Sequence, residues 1–141
     1  MALPELEVVQ GWIDDSPYNS WLGIRVTDLT ATTVTFEVDA RPEWRTTVEP
    51  PAVHGGILAA LLDAAADFSL IGTVGKPVPT IDLSVNYLRG AAIGPIRVVG
   101  RLIKPGSQIA TAEAEAVDAS GKVVAIARGT FLASAARSDG T

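Results

Sequence analysis

The stretch Val53-His54-Gly55-Gly56-Ile57-Leu58-Ala59-Ala60-Leu61-Leu62-Asp63 joins residue types that are costly together. Paired glycines open a helix, a histidine stands beside them, and a carboxylate interrupts an apolar run. Glycine weakens a helix, and a carboxylate removed from water loses its hydration. Both costs suit a site where a ligand approaches backbone closely and meets an ionised oxygen. The Gly55 amide falls in the first helical turn, where N–H groups lack intrahelical partners and the dipole is positive, so it suits an oxygen developing negative charge. Asp63 suits a general base acting on water, or a nucleophile.

Spacing adds a constraint. Nine residues at about 100° each put Asp63 on the opposite side of the helix from His54, roughly 13 Å along the axis. One helix therefore cannot bring its own His54 and Asp63 to one carbon atom. If both act on one substrate, they come from two copies of the chain. Asp67 follows Asp63 by one turn on the same face, so the two carboxylates repel, and one should be harder to ionise in a poorly hydrated groove. The alternative for Asp67 is a solvated charge or one at a subunit edge.

The elements that must position these groups are legible from pattern. Pro4 to Trp12 reads as a short helix, and Ser16 to Gly23 as a turn or single helical turn. Ile24 to Leu29 and Thr33 to Val38 form a hairpin of strands. Arg41 to Val53 holds Pro42, Pro50 and Pro51 and excludes regular structure. The long helix runs from His54 to Ile71, and Gly72 to Pro79 is a loop. Four strands follow: Thr80 to Leu88, Ile96 to Lys104, Gln108 to Val117 and Val123 to Leu132. In the first of these Ile81, Leu83, Val85 and Tyr87 alternate onto one face. The tail from Ala133 to Thr141 is expected to fray. No repeat or boundary divides residues 1–141, in which residues 1–21 form a helical lead-in. Two strands, a helix and four strands are accommodated most simply as an α+β antiparallel sheet wrapped around one central helix.

Composition narrows the function. A net charge of -5 with 11 scattered basic residues argues against sequence-independent nucleic-acid binding. With no cysteine there is no disulfide, thiolate metal site or cysteine nucleophile. Apolar residues make up 48% and charged residues 19%, a balance that suggests surface buried between subunits. Residues 1–10 carry Glu5 and Glu7 without a basic segment, and the apolar run from Ile57 to Ile71 is short and broken by Asp63 and Asp67. The expectation is a cytoplasmic protein with no membrane partner. A single histidine and the lack of a Gly-x-Ser-x-Gly run oppose a serine triad, and no metal-ligand spacing or phosphate loop is present.

The chain resembles the hot-dog-fold acyl-CoA thioesterases of the PaaI (phenylacetate-pathway) type. The likeness rests on His54-Gly55-Gly56, Asp63 nine residues after the histidine, Pro79 to Tyr87 on the next strand, and the turn Asp118-Ala119-Ser120-Gly121-Lys122. It extends from about Leu22 to Leu132. The resemblance implies Asp63 as catalytic carboxylate and Gly55 as the amide polarising the thioester carbonyl. It further implies Thr80 as a hydroxyl holding the carboxylate or the water, and His54 beside the carbonyl in a positional role. It implies inter-subunit sites, an acyl-CoA substrate and no separate cofactor, with a dimer or a tetramer of two dimers as the assembly. Two positions depart from the family: Val48 stands where an Asn or Gln is usual, and Pro51 where a glycine is common.

Every candidate has a plainer alternative. His54 can be a helix-start residue satisfied by backbone, Gly55 and Gly56 a tight turn, and Thr80 an ordinary β-branched strand residue. Trp44 is a candidate lining for an acyl pocket, although tryptophans such as Trp12 and Trp21 more often anchor a core or interface. Arg89, Arg101 and Lys104 are candidates for phosphate contacts, or else solubilising surface charges. Two functions compete with hydrolysis: a module that binds acyl-CoA without cleaving it, and a hydratase or dehydratase of the same fold.

Overall fold

Two short helices begin the chain, α1 (Leu6–Asp15) and α2 (Pro17–Leu22). They belong to a computed structural model that describes residues 2–140, so Met1 and Thr141 lie outside the described residues. α1 buries Val9 and Ile13, one turn apart on a single face. It starts later and runs further than the expected Pro4 to Trp12. The helix ends at Ser16, whose conformation Pro17 pushes towards extended. Ser16 Oγ then accepts the Asn19 N–H and caps α2.

Six strands follow in one sheet: β1 (Arg25–Leu29), β2 (Thr33–Asp39), β3 (Thr80–Tyr87), β4 (Pro95–Lys104), β5 (Ala110–Val117) and β6 (Val123–Phe131). Their spatial order is β1-β2-β4-β5-β6-β3, and every pairing is antiparallel. The sheet wraps the helix α3 (Gly55–Phe68), which packs on β2 to β6, and this is the hot-dog architecture. The inner face of β5 carries Ala110, Ala112, Ala114 and Ala116, next to Ala125 and Ala127 of β6. Small side chains there let the helix lie close to the sheet. The closest approach is at Gly100 of β4, where a Cβ would run into the Ala65 carbonyl of α3.

Three expectations need correction. The helix begun at Gly55 does not continue to Ile71. It ends at Phe68, where the Ser69 hydroxyl donates to the Ala66 carbonyl at 2.7 Å, and a separate turn, α4 (Ile71–Val74), occupies part of the expected loop. Taken through α4, the apolar run Gly55–Val74 is 20 residues, long enough by length and composition to cross a bilayer, yet here it is the core helix of the sheet. Finally, the tail does not fray at Ala133. Ala133 is buried and starts a 3-10 segment, Ala133–Gly140, anchored by the Ser134 N–H on the Gln108 carbonyl.

β3 departs from its expected pattern in an informative way. It pairs only with β6, so it is a sheet edge. Leu83, Val85 and Tyr87 do share a face, opposite Gly129, Ala127 and Ala125, but a bulge between Thr80 and Asp82 takes Ile81 out of register. Ile81 is 51% exposed and Tyr87 54%. In the single chain, apolar β3 is left half covered.

Candidate active site

α3 and its surroundings hold two separate clusters of polar groups. The first is built on the third and fourth turns of α3, where Asp63 and Asp67 line a cavity of about 160 Å³ with Ala60, Ala64, Phe68, Tyr18 and Asn19. Thr80, the first residue of β3, donates its hydroxyl to Asp63 Oδ1 at 2.7 Å. The other carboxylate oxygen of Asp63 accepts nothing from the described residues. Asp67 Oδ1 accepts the Val78 N–H at 2.9 Å, so both carboxylates reach the same incoming segment of chain. Burial pushes the Asp67 carboxyl up to about 7. The Val78 N–H acts against this and the Asp63 charge adds to it. The like-charge repulsion expected from the spacing is therefore present, but desolvation is the larger cause.

The second cluster surrounds the start of the helix. His54 is the N-cap: its Nδ1 accepts the Gly56 N–H at 3.0 Å. A ring accepting at Nδ1 carries its proton on Nε2, so in this arrangement His54 can donate outward but cannot take a proton there without breaking the cap. The capping alternative raised by the sequence is thus realised, and His54 remains an exposed residue. The Gly55 N–H has no hydrogen-bond partner among the described residues. Its carbonyl accepts the Tyr87 hydroxyl at 2.8 Å, and a Cβ on Gly55 would meet the Tyr87 ring at 3.1 Å. Glycine here accommodates Tyr87, a reason the sequence did not show. Gly55, Tyr87, Leu88, Arg89, Gly90, Ala91, Val53 and Leu58 line a groove of about 280 Å³.

The structure therefore brings Asp63, Asp67 and Thr80 together, and separately Gly55, His54, Gly56 and Arg89. It does not bring the two groups together within one chain. Three sequence candidates belong to neither: Trp44, Lys104 and Arg101, which pairs with Glu113 at 3.8 Å on the neighbouring strand. Trp44 is a core residue, packed against Trp21 at 6.1 Å between ring centroids, with Arg41 over both rings. Its contribution to the site is its carbonyl, which accepts the His54 N–H at 2.7 Å and helps fix the helix start. Lys104 closes β4 at the far end from the Arg89 loop, roughly 30 Å away along ten residues of strand, and lines neither cavity. Val48 is 58% exposed.

Sequence reasoning missed Tyr18, Asn19 and the Tyr87 hydroxyl. Ser16-Pro17 announces α2, but nothing local says that α2 lies over the Asp63 turn, some 44 residues on. Asn19 is among the residues that line the carboxylate cavity. No group of three or more His, Cys, Asp or Glu able to hold a metal ion occurs among the described residues.

The chain is similar to several known proteins. Residues 51–125 match the model of the Thioesterase superfamily. A protein of Halobacterium salinarum, provisionally named an esterase, is 32% identical over 137 residues, covering 88% of this chain and 89% of its own. Acyl-coenzyme A thioesterase 13 of Mus musculus is 31% identical over 81 residues, 55% of this chain and 58% of that protein. A solved protein from the thioesterase superfamily superposes with a TM-score of 0.86 at 38% identity, over 90% of this chain and 96% of that one. Thioesterase superfamily member 2 of Mus musculus shares the fold at 20% identity, with a TM-score of 0.78 over 94% and 99% of the two chains.

Proposed function

The chain belongs to the thioesterase superfamily, and from that premise we propose that it hydrolyses an acyl-CoA, or a related thioester, at sites shared between two copies of itself. The observation that carries this reading is the division of the polar groups. A carboxylate oriented by a hydroxyl lies in one cavity, and an unpartnered helix-start amide lies in another groove, on the opposite side of the same helix. A second copy related by a two-fold axis can set its Gly55 against this copy's Asp63, and the reverse. The β3 edge supports such an assembly, because Ile81, Tyr87 and Leu88 expose apolar surface beside an unpaired strand edge. A dimer is the minimum, and a tetramer of two dimers is compatible with it.

In this reading Thr80 holds one Asp63 oxygen and leaves the other to accept a proton from water. The Asn19 amide can help to hold that water. The water oxygen bonds to the carbonyl carbon as its proton passes to Asp63. The Gly55 N–H of the second copy holds the resulting oxyanion, an interaction typically worth ~3 kcal/mol. The carbonyl then re-forms, the C–S bond breaks, and the thiolate takes the proton held by Asp63. His54 offers its Nε2–H near the carbonyl as a donor, and Arg89 lies at the mouth of the Gly55 groove for a CoA phosphate. Attack by Asp63 itself, through a mixed anhydride, uses the same groups. We favour water activation because one oxygen of Asp63 is already engaged.

The test is thiol release from short, medium and aryl acyl-CoAs by wild type and Asp63→Asn. The variant should lose turnover by about 10²-fold or more while keeping its assembly. Near-wild-type hydrolysis would remove Asp63 from this role. Shared sites make a second demand. Asp63→Asn mixed and reassembled with Gly55→Pro, which lacks the N–H, should recover about a quarter of wild-type activity, because half the sites in each mixed dimer are intact. One observation favours a different reading: exposed Val48 supplies no amide. Tight acyl-CoA binding without Asp63-dependent turnover would identify a binding module instead.

A further inference from the structure

Asp118 is 7% exposed, lies in the turn between β5 and β6, and reaches well beyond that turn. Its Oδ1 serves the turn itself, accepting the Ser120 N–H at 2.9 Å and the Ser120 hydroxyl at 2.6 Å. Its Oδ2 accepts the Ala92 N–H at 2.9 Å, across 26 residues of sequence. Ala92 belongs to the loop joining β3 to β4, and the preceding residues of that loop, Leu88 to Ala91, line the Gly55 groove. Ala91 in turn accepts the Val53 N–H at 3.0 Å, immediately before His54 and Gly55. Other contacts on the loop come from backbone: the Leu88 and Arg89 N–H groups donate to Val124, and the Gly94 carbonyl accepts from Ala40. Between Arg89 and Gly94, Asp118 provides the side-chain anchor.

The geometry points to Asp118 as a positioning residue for the groove: it holds the Arg89–Ala92 segment by one carboxylate oxygen and, through Ala91, fixes Val53 and the start of α3. A neutral turn residue would suffice for the turn alone. Two oxygens with separate tasks need a carboxylate, and the N–H donors of Ala92 and Ser120 can both face it only if it carries no proton. Burial by itself would raise this carboxyl, but the donors of Ala92, Ser120 and Lys122 hold it below the usual range, so it stays ionised at neutral pH.

The experiment compares Asp118→Ala with Ser120→Ala, which weakens the turn but leaves the bond to Ala92. Amide hydrogen exchange is followed by NMR on the full chain. In Asp118→Ala the Ala92 and Val53 amides should exchange about tenfold faster relative to the β5 amides, and in Ser120→Ala they should not. Unchanged Val53 exchange in Asp118→Ala, or equal acceleration in both variants, overturns the inference. If Asp118→Ala does not fold, Asp118→Asn retains the shape but cannot satisfy both sets of donors, and is judged by the same two amides.

The functional consequence rests on the thioesterase reading. Asp118→Ala should raise KM for an acyl-CoA, and the Kd for an S-alkyl coenzyme A thioether, about tenfold, with kcat within about threefold of wild type. A wild type that neither binds the thioether nor releases thiol would defeat the thioesterase reading, and the exchange data would still decide the role of Asp118.

Discussion

Asp67→Asn should stabilise this protein, and by an amount that depends on pH. The asparagine keeps the shape and the oxygen that accepts the Val78 N–H, and removes only the charge. In the folded chain the Asp67 carboxyl titrates at about 7, against 3.8 for an unperturbed group. Between those values the folded state holds a proton that the unfolded state has released, so wild-type stability falls as pH rises. The favourable contribution is complete below the unfolded value and is lost as pH climbs through about 7. Near pH 5 to 6 the loss approaches about 1.4 kcal/mol per unit; the slope halves by about pH 7 and then levels off. Because Asp67 is only half-buried, solvent screening trims the total, and about 2 kcal/mol is expected between pH 5 and pH 8. Urea unfolding at pH 5, 6, 7 and 8, with protein concentration held constant because assembly contributes, measures it directly. The advantage of Asp67→Asn over wild type should widen by that amount as pH rises. A constant advantage, or one that grows towards acid pH, would refute the argument that burial raises this carboxyl.

Thr80→Val removes the hydroxyl that holds Asp63 and should lower kcat for thiol release about tenfold, while Thr80→Ser should stay near wild type. A valine variant with wild-type kcat would detach Thr80 from the site. Gly100→Ala puts a Cβ into the Ala65 carbonyl, where backbone lies on both sides, so α3 must lift from the sheet. A loss of about 3 kcal/mol is expected in a denaturant melt, and a stability within about 0.5 kcal/mol of wild type, the ordinary scatter of surface substitutions, would mean the helix has room to move.

Much of the candidate site could be read along the chain because it depends on helical period. The capped start at His54, the free amide at Gly55, and the opposed placement of Asp63 follow from 3.6 residues per turn. So does the pairing of Asp63 with Asp67. The alternation of strands and turns likewise indicated a sheet with one helix to enclose. Some misreadings were element ends, such as the stop of the long helix at Phe68; those that bear on the site concerned which element lies next to which. Periodicity identified an apolar face on β3 but could not say that the strand would stand at an edge with a bulge at Ile81. Composition marked Trp44 as a large aromatic, and only packing put it in the core with Trp21 and Arg41 instead of in an acyl pocket.

By itself, then, the sequence determined the local geometry of this protein: where the helix starts, which side of it each polar group faces, and that a single copy cannot unite them. The tertiary structure decided the company those groups keep. It set Thr80 on Asp63, Val78 on Asp67, α2 over the carboxylate cavity, and Asp118 behind the loop that shapes the Gly55 groove. The physical reason is the range of the interactions. Helix caps and side-chain faces are set by neighbours within a turn, whereas these hydrogen bonds join residues 11 to 26 positions apart and exist only once the sheet order has closed around the helix.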